Sequence, residues 1–270
     1  MKRCIFAIMA AMLLCGCSIK EEPDTLAVSF FDVGKADSFL MTCGGKNLLM
    51  DAGTAKDGKK VAKRLEDMGV ESIDYLMITH FDRDHAGGAA QIIQDFDVKA
   101  LLRPEYMKES DESAECMAAE DRGVKVIIIT SQTDIQLGST KLVIHPADKV
   151  YENDASNNSS LVTEVFHGEN SLLFTGDIEK ERIADIKDEL EDAGYDFIKA
   201  PHHGRYEKIL PEFFSLVGAQ SAVITSSEKN PEEQETIQAL EDAGVKDILL
   251  TRGGEITLQS DGGKLSFTQE

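Results

Sequence analysis

The sequence contains no tryptophan, and its 270 residues include only 6 prolines, 5 cysteines and 6 histidines. Positive charge is also scarce, with 28 Lys and Arg against 49 Asp and Glu and a formal net charge of −21. Because each neutralised phosphate needs a cation, this deficit argues against a wide, non-specific surface for nucleic acid. The deficit of positive charge does not exclude a small phosphoester substrate that is bound through a metal ion. The 42% hydrophobic and 29% charged residues exclude a disordered, collagen-like or coiled-coil chain.

An apolar segment over residues 4–15 follows a pair of positive residues at the start of the chain. It has the length of a signal-peptide core and is too short to span a bilayer. It ends in Leu-Cys-Gly-Cys, which resembles a bacterial lipobox and implies lipidation of Cys17. We therefore expect a leader over residues 1–16, a lipidated tether over residues 17–25 and an extracytoplasmic protein anchored to a bacterial membrane. An ordinary cleaved signal peptide is the alternative.

Two cysteines follow the tether, Cys43 and Cys116. Outside the cytosol they can form one disulfide or remain as two buried thiols, and the sequence leaves both possibilities open. No later segment approaches 18 apolar residues, so we expect the lipid to be the sole membrane attachment.

Short apolar segments bounded by glycine and polar residues predict many strands with helices between them. The predicted strands are Leu26–Phe31, Ser38–Thr42, Lys46–Met50, Ile73–Ile78, Val124–Ile129, Lys141–His145, Leu161–Phe166, Ser171–Thr175, Tyr195–Lys199 and Asp247–Leu250. Helical periodicity predicts a helix over Lys56–Met68, and Gly69 is its stop signal. We predict one domain over residues 26–270, an α+β fold of two sheets with helices on their outer faces, in four layers.

Four of the six histidines fall in two tight clusters, and the first cluster carries two carboxylates as well. His80, Asp82, Asp84 and His85 lie within six residues, directly after a predicted strand. In an extended loop, side chains two positions apart point the same way, so His80 and Asp82 can bind one ion together. Asp84 and His85 can then bind a second ion beside the first, and the segment predicts a metal site.

Two later segments supply the groups that would complete such a site. Asp177 follows a buried strand in Phe-Thr-Gly-Asp, and His202 and His203 follow another strand in Ala-Pro-His-His-Gly. A strand-end Asp often caps a helix, and a helix is predicted to begin at Glu179. The remaining histidines fit the site less well. We expect His145 to be packed or partly exposed on its strand and His167 to face solvent in a hairpin turn.

The order His-x-Asp-x-Asp-His, strand-end Gly-Asp and Pro-His-His-Gly resembles the metallo-β-lactamase fold. Within that fold the chain is similar to the extracytoplasmic hydrolase domain of ComEC competence proteins. Segments 31–37, 49–53 and 156–162 are similar to that domain's opening Asp motif, the fold's first Asp motif and an Asn-rich stretch. The resemblance covers residues 26–270 and implies an αββα sandwich with a metal-dependent hydrolase site.

The resemblance also implies a ligand set for two ions. The first would be bound by His80, Asp82 and Asp177, and the second by Asp84, His85, Asp177 and His203. The superfamily has His at the position of Asp82, so the first site is rich in oxygen. Such a site suits Mn²⁺ or Mg²⁺ better than a three-histidine zinc site does. We expect one or two divalent ions. Zn²⁺ and Mn²⁺ are the main candidates, and Mg²⁺ is a further one.

The expected chemistry is hydrolysis by a metal-bound hydroxide at a dinuclear His/Asp centre. One of Asp82, Asp84 or Asp177 would orient the attacking oxygen, and a proton would reach the leaving oxygen through His202 or water. Arg205, Lys199 and Arg83 flank the ligands, where they can bind a phosphate oxygen or simply be solvated. By the resemblance, Asn158 and Ser160 stand where the superfamily has a further His, and we expect both to contact substrate.

These expectations favour a phosphodiesterase or nuclease-like enzyme. Its substrate would be a phosphodiester or another small anion, and short nucleic acid is one candidate. A cationic helical face supports the nucleic acid and is formed by Lys56, Lys59, Lys60, Lys63 and Arg64. The alternatives are a phosphoesterase acting on a cell-surface polymer or small nucleotide, and a non-catalytic binding lipoprotein with a degenerate site. No protein partner is inferred, and the membrane would be contacted through the lipid.

Overall fold

The computed structural model of the protein describes residues 24–107, 114–190 and 194–270. The predicted leader, Cys17 and the tether up to residue 23 lie outside the described residues, so lipidation remains a prediction. Within the described residues, no helix combines the length and the apolar character that crossing a membrane requires.

The secondary structure alternates short strands with helices, as the sequence predicts. The strands are β1 (Leu26–Phe30), β2 (Phe39–Cys43), β3 (Lys46–Met50), β4 (Ser72–Ile73), β5 (Tyr75–Met77), β6 (Asp97–Val98), β7 (Ala100–Pro104), β8 (Lys125–Ile129), β9 (Thr133–Leu137), β10 (Thr140–His145), β11 (Val162–His167), β12 (Asn170–Phe174), β13 (Phe197–Lys199), β14 (Ser221–Ile224), β15 (Asp247–Leu250), β16 (Ile256–Ser260) and β17 (Leu265–Gln269). The helices are α1 (Gly58–Asp67), α2 (Arg83–Ala86), α3 (Ala89–Asp95), α4 (Ala114–Arg122), α5 (Ala155–Asn158), α6 (Lys180–Ile186), α7 (Leu210–Val217) and α8 (Gln234–Asp242), with 3₁₀ turns at Pro201–Gly204 and Thr251–Gly253.

Two large mixed sheets face each other. The first has the strand order β17-β16-β1-β2-β3-β5-β7-β8 and the second has the order β15-β14-β13-β12-β11-β10-β9, while β4 and β6 form a small separate pair. Helices α1, α3 and α4 pack on the outer face of the first sheet, and α6, α7 and α8 pack on the outer face of the second. The predicted four-layer αββα fold is therefore confirmed.

Alternating side chains separate the apolar layers. In β3, Leu48 and Met50 point into the space between the sheets, whereas Leu49 points toward the helices. The inner layer contains an aromatic cluster in which Phe30 and Phe39 lie 5.1 Å apart and Phe39 and Phe174 lie 5.4 Å apart, measured between ring centroids. This packing fixes the distance between the two sheets and thus between the loops that each sheet presents.

The parallel strands of both sheets end at the same edge of the sandwich. In the first sheet β3 is parallel to β5 and β5 to β7, and in the second sheet β12, β13 and β14 are parallel neighbours. The carboxyl ends of neighbouring parallel strands lie together, so the loops that follow them converge. The predicted metal-binding segments are loops of this kind.

Several element boundaries differ from the prediction, and two of these differences have a local cause. The strand predicted at Ile73–Ile78 is divided at Asp74, because the Asp74 carboxylate accepts a hydrogen bond from the Asn47 backbone N–H (3.0 Å) and bonds two lysines. Helix α1 begins at Gly58 instead of Lys56, because Asp57 Oδ2 accepts a hydrogen bond from the Thr54 backbone N–H (3.1 Å) in a preceding turn.

The histidines and cysteines outside the metal-binding segments have defined environments. His145 is packed, with its Nε2 2.7 Å from Glu164 Oε1 in the interior. The prediction that His167 faces solvent is wrong. It is fully buried, because Asp24 covers it through a carbonyl 2.5 Å from His167 Nε2.

Cys43 is a buried free thiol and Cys116 is a partly buried one, so the possible disulfide does not form.

Candidate metal centre

The loops at the shared edge bring histidines and carboxylates from distant parts of the chain together. Asp51 follows β3, the His80–His85 segment follows β5, Asp177 follows β12, and His203 follows β13. These residues form groups in which ligand atoms lie within 4.8 Å of one another. The groups within the described residues are His80 with His85 and Asp177, Asp84 with His85 and His203, Asp37 with Asp177 and His203, and Asp37 with Asp51 and His85.

Asp177 lies at the centre of the cluster. Its Oδ2 is 3.1 Å from His85 Nε2 and 3.1 Å from His203 Nε2. The His80 and His85 rings lie 4.1 Å apart. The positive charges that His203, His85 and Lys199 can carry outweigh burial and hold the pKa of the Asp177 carboxyl well below its usual range. Asp177 is therefore an anion that several imidazoles share, which is the arrangement of a bridging ligand.

The imidazoles present unpartnered nitrogens to this centre. Nε2 of His80, of His85 and of His203 is buried and makes no hydrogen bond of good geometry, although Asp177 Oδ2 lies 3.1 Å from the last two. Burial, together with the positive charge of His85, lowers the pKa of His80 to about 3, which keeps that ring neutral. Neutral imidazole is the form that binds a metal. Orphaned buried nitrogens are costly, and a divalent ion among them would satisfy all three. The residues present thus fit a metal.

Asp84 forms the open side of the centre. Its Oδ2 lies 3.5 Å from His203 Nε2, and 36% of its side chain is exposed. The Asp84 pKa is lowered, because the hydrogen bond and charge of His203 and the charge of His85 outweigh burial. An ionised carboxylate that faces both solvent and the imidazoles can bind an ion and contact an incoming water.

A second ring of side chains holds the ligands in place. Asp51 Oδ2 accepts a hydrogen bond from His85 Nδ1 (2.8 Å), and Asp51 is tied to Thr79 by two further bonds. Thr225 Oγ1 lies 2.9 Å from His203 Nδ1 and donates to Asp37 Oδ1 (2.6 Å). Because Nδ1 of His85 and of His203 is bonded on the outer side of the site, Nε2 of each ring is directed at the centre. Outer partners usually orient metal ligands in this way.

A buried lysine neutralises part of the acidic charge. Lys199 Nζ lies 2.5 Å from Asp37 Oδ2 and 3.4 Å from Asp177 Oδ1, and both Lys199 and Asp37 are fully buried. Burial lowers the pKa of the lysine, but the charges of Asp37 and Asp177 outweigh burial and the net pKa is raised. Lys199 therefore contacts one oxygen of Asp177 and leaves the other oxygen facing the imidazoles.

Asp82 is placed differently from the predicted ligand set. It precedes α2, and its Oδ1 accepts a hydrogen bond from Ser156 Oγ (2.6 Å) in α5. In the described part of the chain, Asp82 belongs to none of the close ligand groups. The group around His80 and Asp177 is completed by His85 instead. His85 also belongs to the group with Asp84 and His203, so it lies between the two predicted ion positions.

The residues predicted to contact substrate divide into two sets. His202 lies at the rim, with Nε2 4.0 Å from Asp177 Oδ2 and Nδ1 2.9 Å from Glu179 Oε1. Arg205 is also at the rim, since its Nη1 donates to Glu179 Oε1 (3.2 Å) while 48% of the side chain stays exposed. Both side chains remain available to a bound anion.

Asn158 and Ser160, by contrast, are buried and engaged within the protein. The Asn158 Oδ1 accepts a hydrogen bond from the Glu179 backbone N–H (2.9 Å) and thereby caps α6. Ser160 Oγ lies 3.2 Å from His80 Nδ1 and accepts from the Asp177 backbone N–H (3.1 Å). The expected substrate contacts of these two residues are therefore replaced by support for α6 and for the ligands.

Six residues described at the centre were not among the predicted site residues: Asp37, Asp51, Thr79, Glu179, Lys199 and Thr225. Lys199 was expected only as a flanking cation. Asp37 and Asp51 belong to the two acidic segments that carry the family resemblance, so their motifs were the available signal. Thr225 follows β14 as one of many strand-end hydroxyls, and nothing in its local sequence distinguishes it.

Comparisons with known proteins agree with this arrangement. The family profile described as "Metallo-beta-lactamase superfamily" matches residues 31–226. ComE operon protein 3 of Bacillus subtilis (strain 168) is 28% identical over 193 residues, which are 70% of this chain and 25% of that protein. Recombination protein 2 of Haemophilus influenzae is 28% identical over 238 residues, which are 85% of this chain and 28% of that protein. The chain thus matches about a quarter of the length of these relatives.

A solved structure shares the fold at low sequence identity. The metallo-beta-lactamase fold protein YhfI from Bacillus subtilis aligns with a TM-score of 0.56 and 11% identity, over 83% of this chain and 96% of that one. The profile match covers more than half of the sequence and includes the segments that supply the clustered histidines and carboxylates. The chain therefore belongs to the metallo-β-lactamase superfamily.

Proposed function

We propose that this protein is a phosphodiesterase or nuclease-like hydrolase that uses one or two divalent ions. Zn²⁺ and Mn²⁺ are the main candidates, and Mg²⁺ is a further one. The observation that supports this proposal is the convergence of three orphaned imidazole nitrogens, from His80, His85 and His203, on the Asp177 carboxylate. His80, Asp84, His85, Asp177 and His203 would hold the ions. Asp82 remains a proposed contributor, either as a ligand or through its hydrogen bond to Ser156.

The bound ions would supply Lewis acidity, which lowers the pKa of water and polarises a phosphoryl oxygen. Asp84 has the exposure and position to orient the attacking water, because its carboxylate faces solvent beside His203. Arg205 presents its guanidinium at the rim, where it can bind a non-bridging phosphate oxygen. His202 lies between these groups and is placed to deliver a proton to the departing oxygen.

The relatives direct the proposal toward nucleic acid, since one of them is named a recombination protein and another a ComE operon protein. The cationic face on α1 supports a nucleic-acid substrate only in part. Lys60 contacts Asp32, Lys63 contacts Asp67, and Arg64 bonds Glu255 (2.7 Å). Three of its five cations are thus paired with acids. This pairing favours a small nucleotide or short anionic polymer as the second candidate substrate.

The proposed location is the outer face of a bacterial membrane, with the protein held there by a lipid on Cys17. The support is the lipobox-like sequence that ends the apolar leader. Expression of a Cys17→Ser variant in a bacterial host tests this directly. We expect the wild-type chain in the membrane fraction, labelled by a clickable fatty acid, and the variant unlabelled. Equal labelling of both chains would contradict lipidation at this cysteine.

Hydrolysis of bis(p-nitrophenyl) phosphate tests the enzymatic proposal. The full chain, purified in detergent and stripped of metal, is assayed after addition of Zn²⁺, Mn²⁺ or Mg²⁺, beside an Asp84→Ala variant. We expect turnover only with metal and a loss of at least about 10²-fold in the variant, the scale reported for groups that act in the transition state. No turnover with any of the three metals would favour a binding protein or a narrower substrate.

A further inference from the structure

A cluster centred on Glu179 borders the metal centre. The Glu179 carboxylate is almost fully buried, and its Oε1 is contacted by His202 Nδ1 (2.9 Å), Asn157 Nδ2 (2.9 Å) and Arg205 Nη1 (3.2 Å). A buried anion with several donors on one oxygen is a fixed point to which the two rim side chains are attached.

The backbone around this cluster is strained. Among the described residues other than glycine, a left-handed φ occurs at Asp51, Asp154, His202 and His203. His202 (φ 46°) and His203 (φ 53°) are consecutive, an arrangement that L-residues adopt only when the surroundings impose it. The strain turns the two rings to different partners. His203 points to Asp177 and Asp84, whereas His202 reaches Glu179.

The strained segment is also fixed through its main chain. The His202 N–H donates to the Gly176 carbonyl (3.3 Å), one residue before Asp177, and the Arg205 N–H donates to the His202 carbonyl (2.9 Å). The His202 ring keeps 16% of its surface exposed. Its Nδ1 lies 2.9 Å from Glu179 Oε1, and its Nε2 lies at the edge of the metal centre, 4.0 Å from Asp177 Oδ2.

We propose that Glu179 is a positioning residue that orients His202 and Arg205 toward the leaving side of a bound phosphodiester. This inference rests on the proposed function and assigns Glu179 a part in it. In the reaction, a water oxygen forms a bond to phosphorus while the bond from phosphorus to the leaving oxygen breaks. The leaving oxygen takes a proton from His202 Nε2, and the proton released by the water restores the ring. Arg205 binds a non-bridging oxygen throughout.

The test compares two substrates that differ only in the leaving phenol: p-nitrophenyl methyl phosphate, whose leaving group needs no proton, and phenyl methyl phosphate, whose leaving group does. Both are assayed with the metal-loaded full chain and its Glu179→Gln and His202→Gln variants. We expect each variant to lose at least about 10²-fold more in kcat on the phenyl ester than on the p-nitrophenyl ester, the size of a general-acid contribution. Glu179→Gln should also lose some activity on both esters, because Arg205 binds the non-bridging oxygen of each. Metal content, measured by mass spectrometry, should equal that of the wild type.

The outcomes separate the two proposals. Wild-type chain that hydrolyses neither ester would overturn the proposed function and this inference together. Equal losses of the variants on both esters would overturn the inference alone, as would loss of metal from His202→Gln, which would make that residue a ligand. Asn157→Ala is the matched control, because it removes another donor to Glu179 Oε1 and should leave the ratio of the two rates unchanged. His202→Gln alters a partly exposed ring, so it provides the test if Glu179→Gln does not fold.

Discussion

The Oδ2 atom of Asp51 lies 2.8 Å from Nδ1 of His85, in the fully buried layer behind the metal centre. Asp51 itself is fixed by the Thr79 backbone N–H (2.8 Å) and hydroxyl (2.7 Å). The pair thus connects the end of β3 to the loop after β5, across two neighbouring parallel strands. The carboxylate determines which nitrogen of His85 carries the proton and directs the other nitrogen to Asp177.

Replacement of Asp51 by Asn should weaken metal binding without removing a ligand. The amide can accept from Thr79 or from His85, but its NH₂ group then faces the other partner. Loss of such an outer partner typically costs about 10–100-fold in metal affinity. Titration of the stripped protein against a chromophoric chelator measures it. Ser38→Ala is a suitable control, because the Ser38 hydroxyl is buried nearby without a hydrogen-bond partner in the structure. Equal affinities for Asp51→Asn and wild type would refute the orienting role.

The buried pair of Lys199 and Asp37 should dominate the stability of this edge. Lys199→Met leaves the Asp37 carboxylate buried beside one hydroxyl, that of Thr225, and two histidines, His203 and His85. Removal of one partner of a buried ion pair costs about 3–5 kcal/mol in the free energy of unfolding. The double variant Lys199→Met/Asp37→Asn removes both charges and should recover a large part of that loss. Urea unfolding of all four proteins gives the interaction energy, and strictly additive losses would show that the pair is not coupled.

Local clusters in the sequence were sufficient to predict part of the centre. His80, Asp84 and His85 lie within six residues after a strand, so a short loop brings them together whatever the rest of the chain does. Asp177 and the paired histidines stood out because each follows an apolar strand, and the family resemblance favoured His203 over His202 as the ligand. The four-layer fold followed from the same alternation of strands and helices.

The contacts that support the ligands could not be predicted in this way. Thr225 and Asp37 are separated by 188 positions in sequence and meet only because β14 ends and β2 begins at the same edge. The Asn158 amide looked like a substrate contact by analogy, but its oxygen caps α6 by accepting from a buried backbone N–H at the start of that helix, which has no partner within the helix. His167 was placed in solvent by its hairpin turn, and a main-chain carbonyl from the N-terminal segment covers it.

Charge reversal on α1 distinguishes a nucleic-acid substrate from a small one. Lys59 is exposed, and Lys63 is exposed with Asp67 as its partner. If single-stranded DNA tracks along this face, Lys59→Glu/Lys63→Glu should lower kcat/KM on an oligonucleotide by roughly tenfold at low salt, and the effect should shrink as salt rises. Activity on bis(p-nitrophenyl) phosphate should not change. An equal decrease on both substrates, or none on DNA, would exclude guidance by this helix.

The stability contributed by Asp74 should depend on pH. Burial raises the pKa of Asp74, but the Asn47 N–H (3.0 Å) and the ammonium groups of Lys99 (3.0 Å) and Lys46 (3.1 Å) outweigh burial, so the net pKa is lowered. A carboxyl whose pKa is lowered by folding stabilises the protein above its unfolded pKa of about 4, and this stabilisation is lost as the pH falls through the folded value.

Asp74→Asn should therefore lower the free energy of unfolding by about 1 kcal/mol at pH 7, since the lysines are half-exposed and their pairing is screened. The difference from wild type should narrow below about pH 4, where the wild-type carboxyl becomes protonated. Urea unfolding at a series of pH values measures both effects. Asp67→Asn breaks an exposed pair with Lys63, so it should change the free energy of unfolding little at any pH. It therefore separates the contribution of the Asp74 contacts from a general effect of losing one negative charge. A difference between Asp74→Asn and wild type that grows on acidification would show that the carboxylate is not stabilised by these partners.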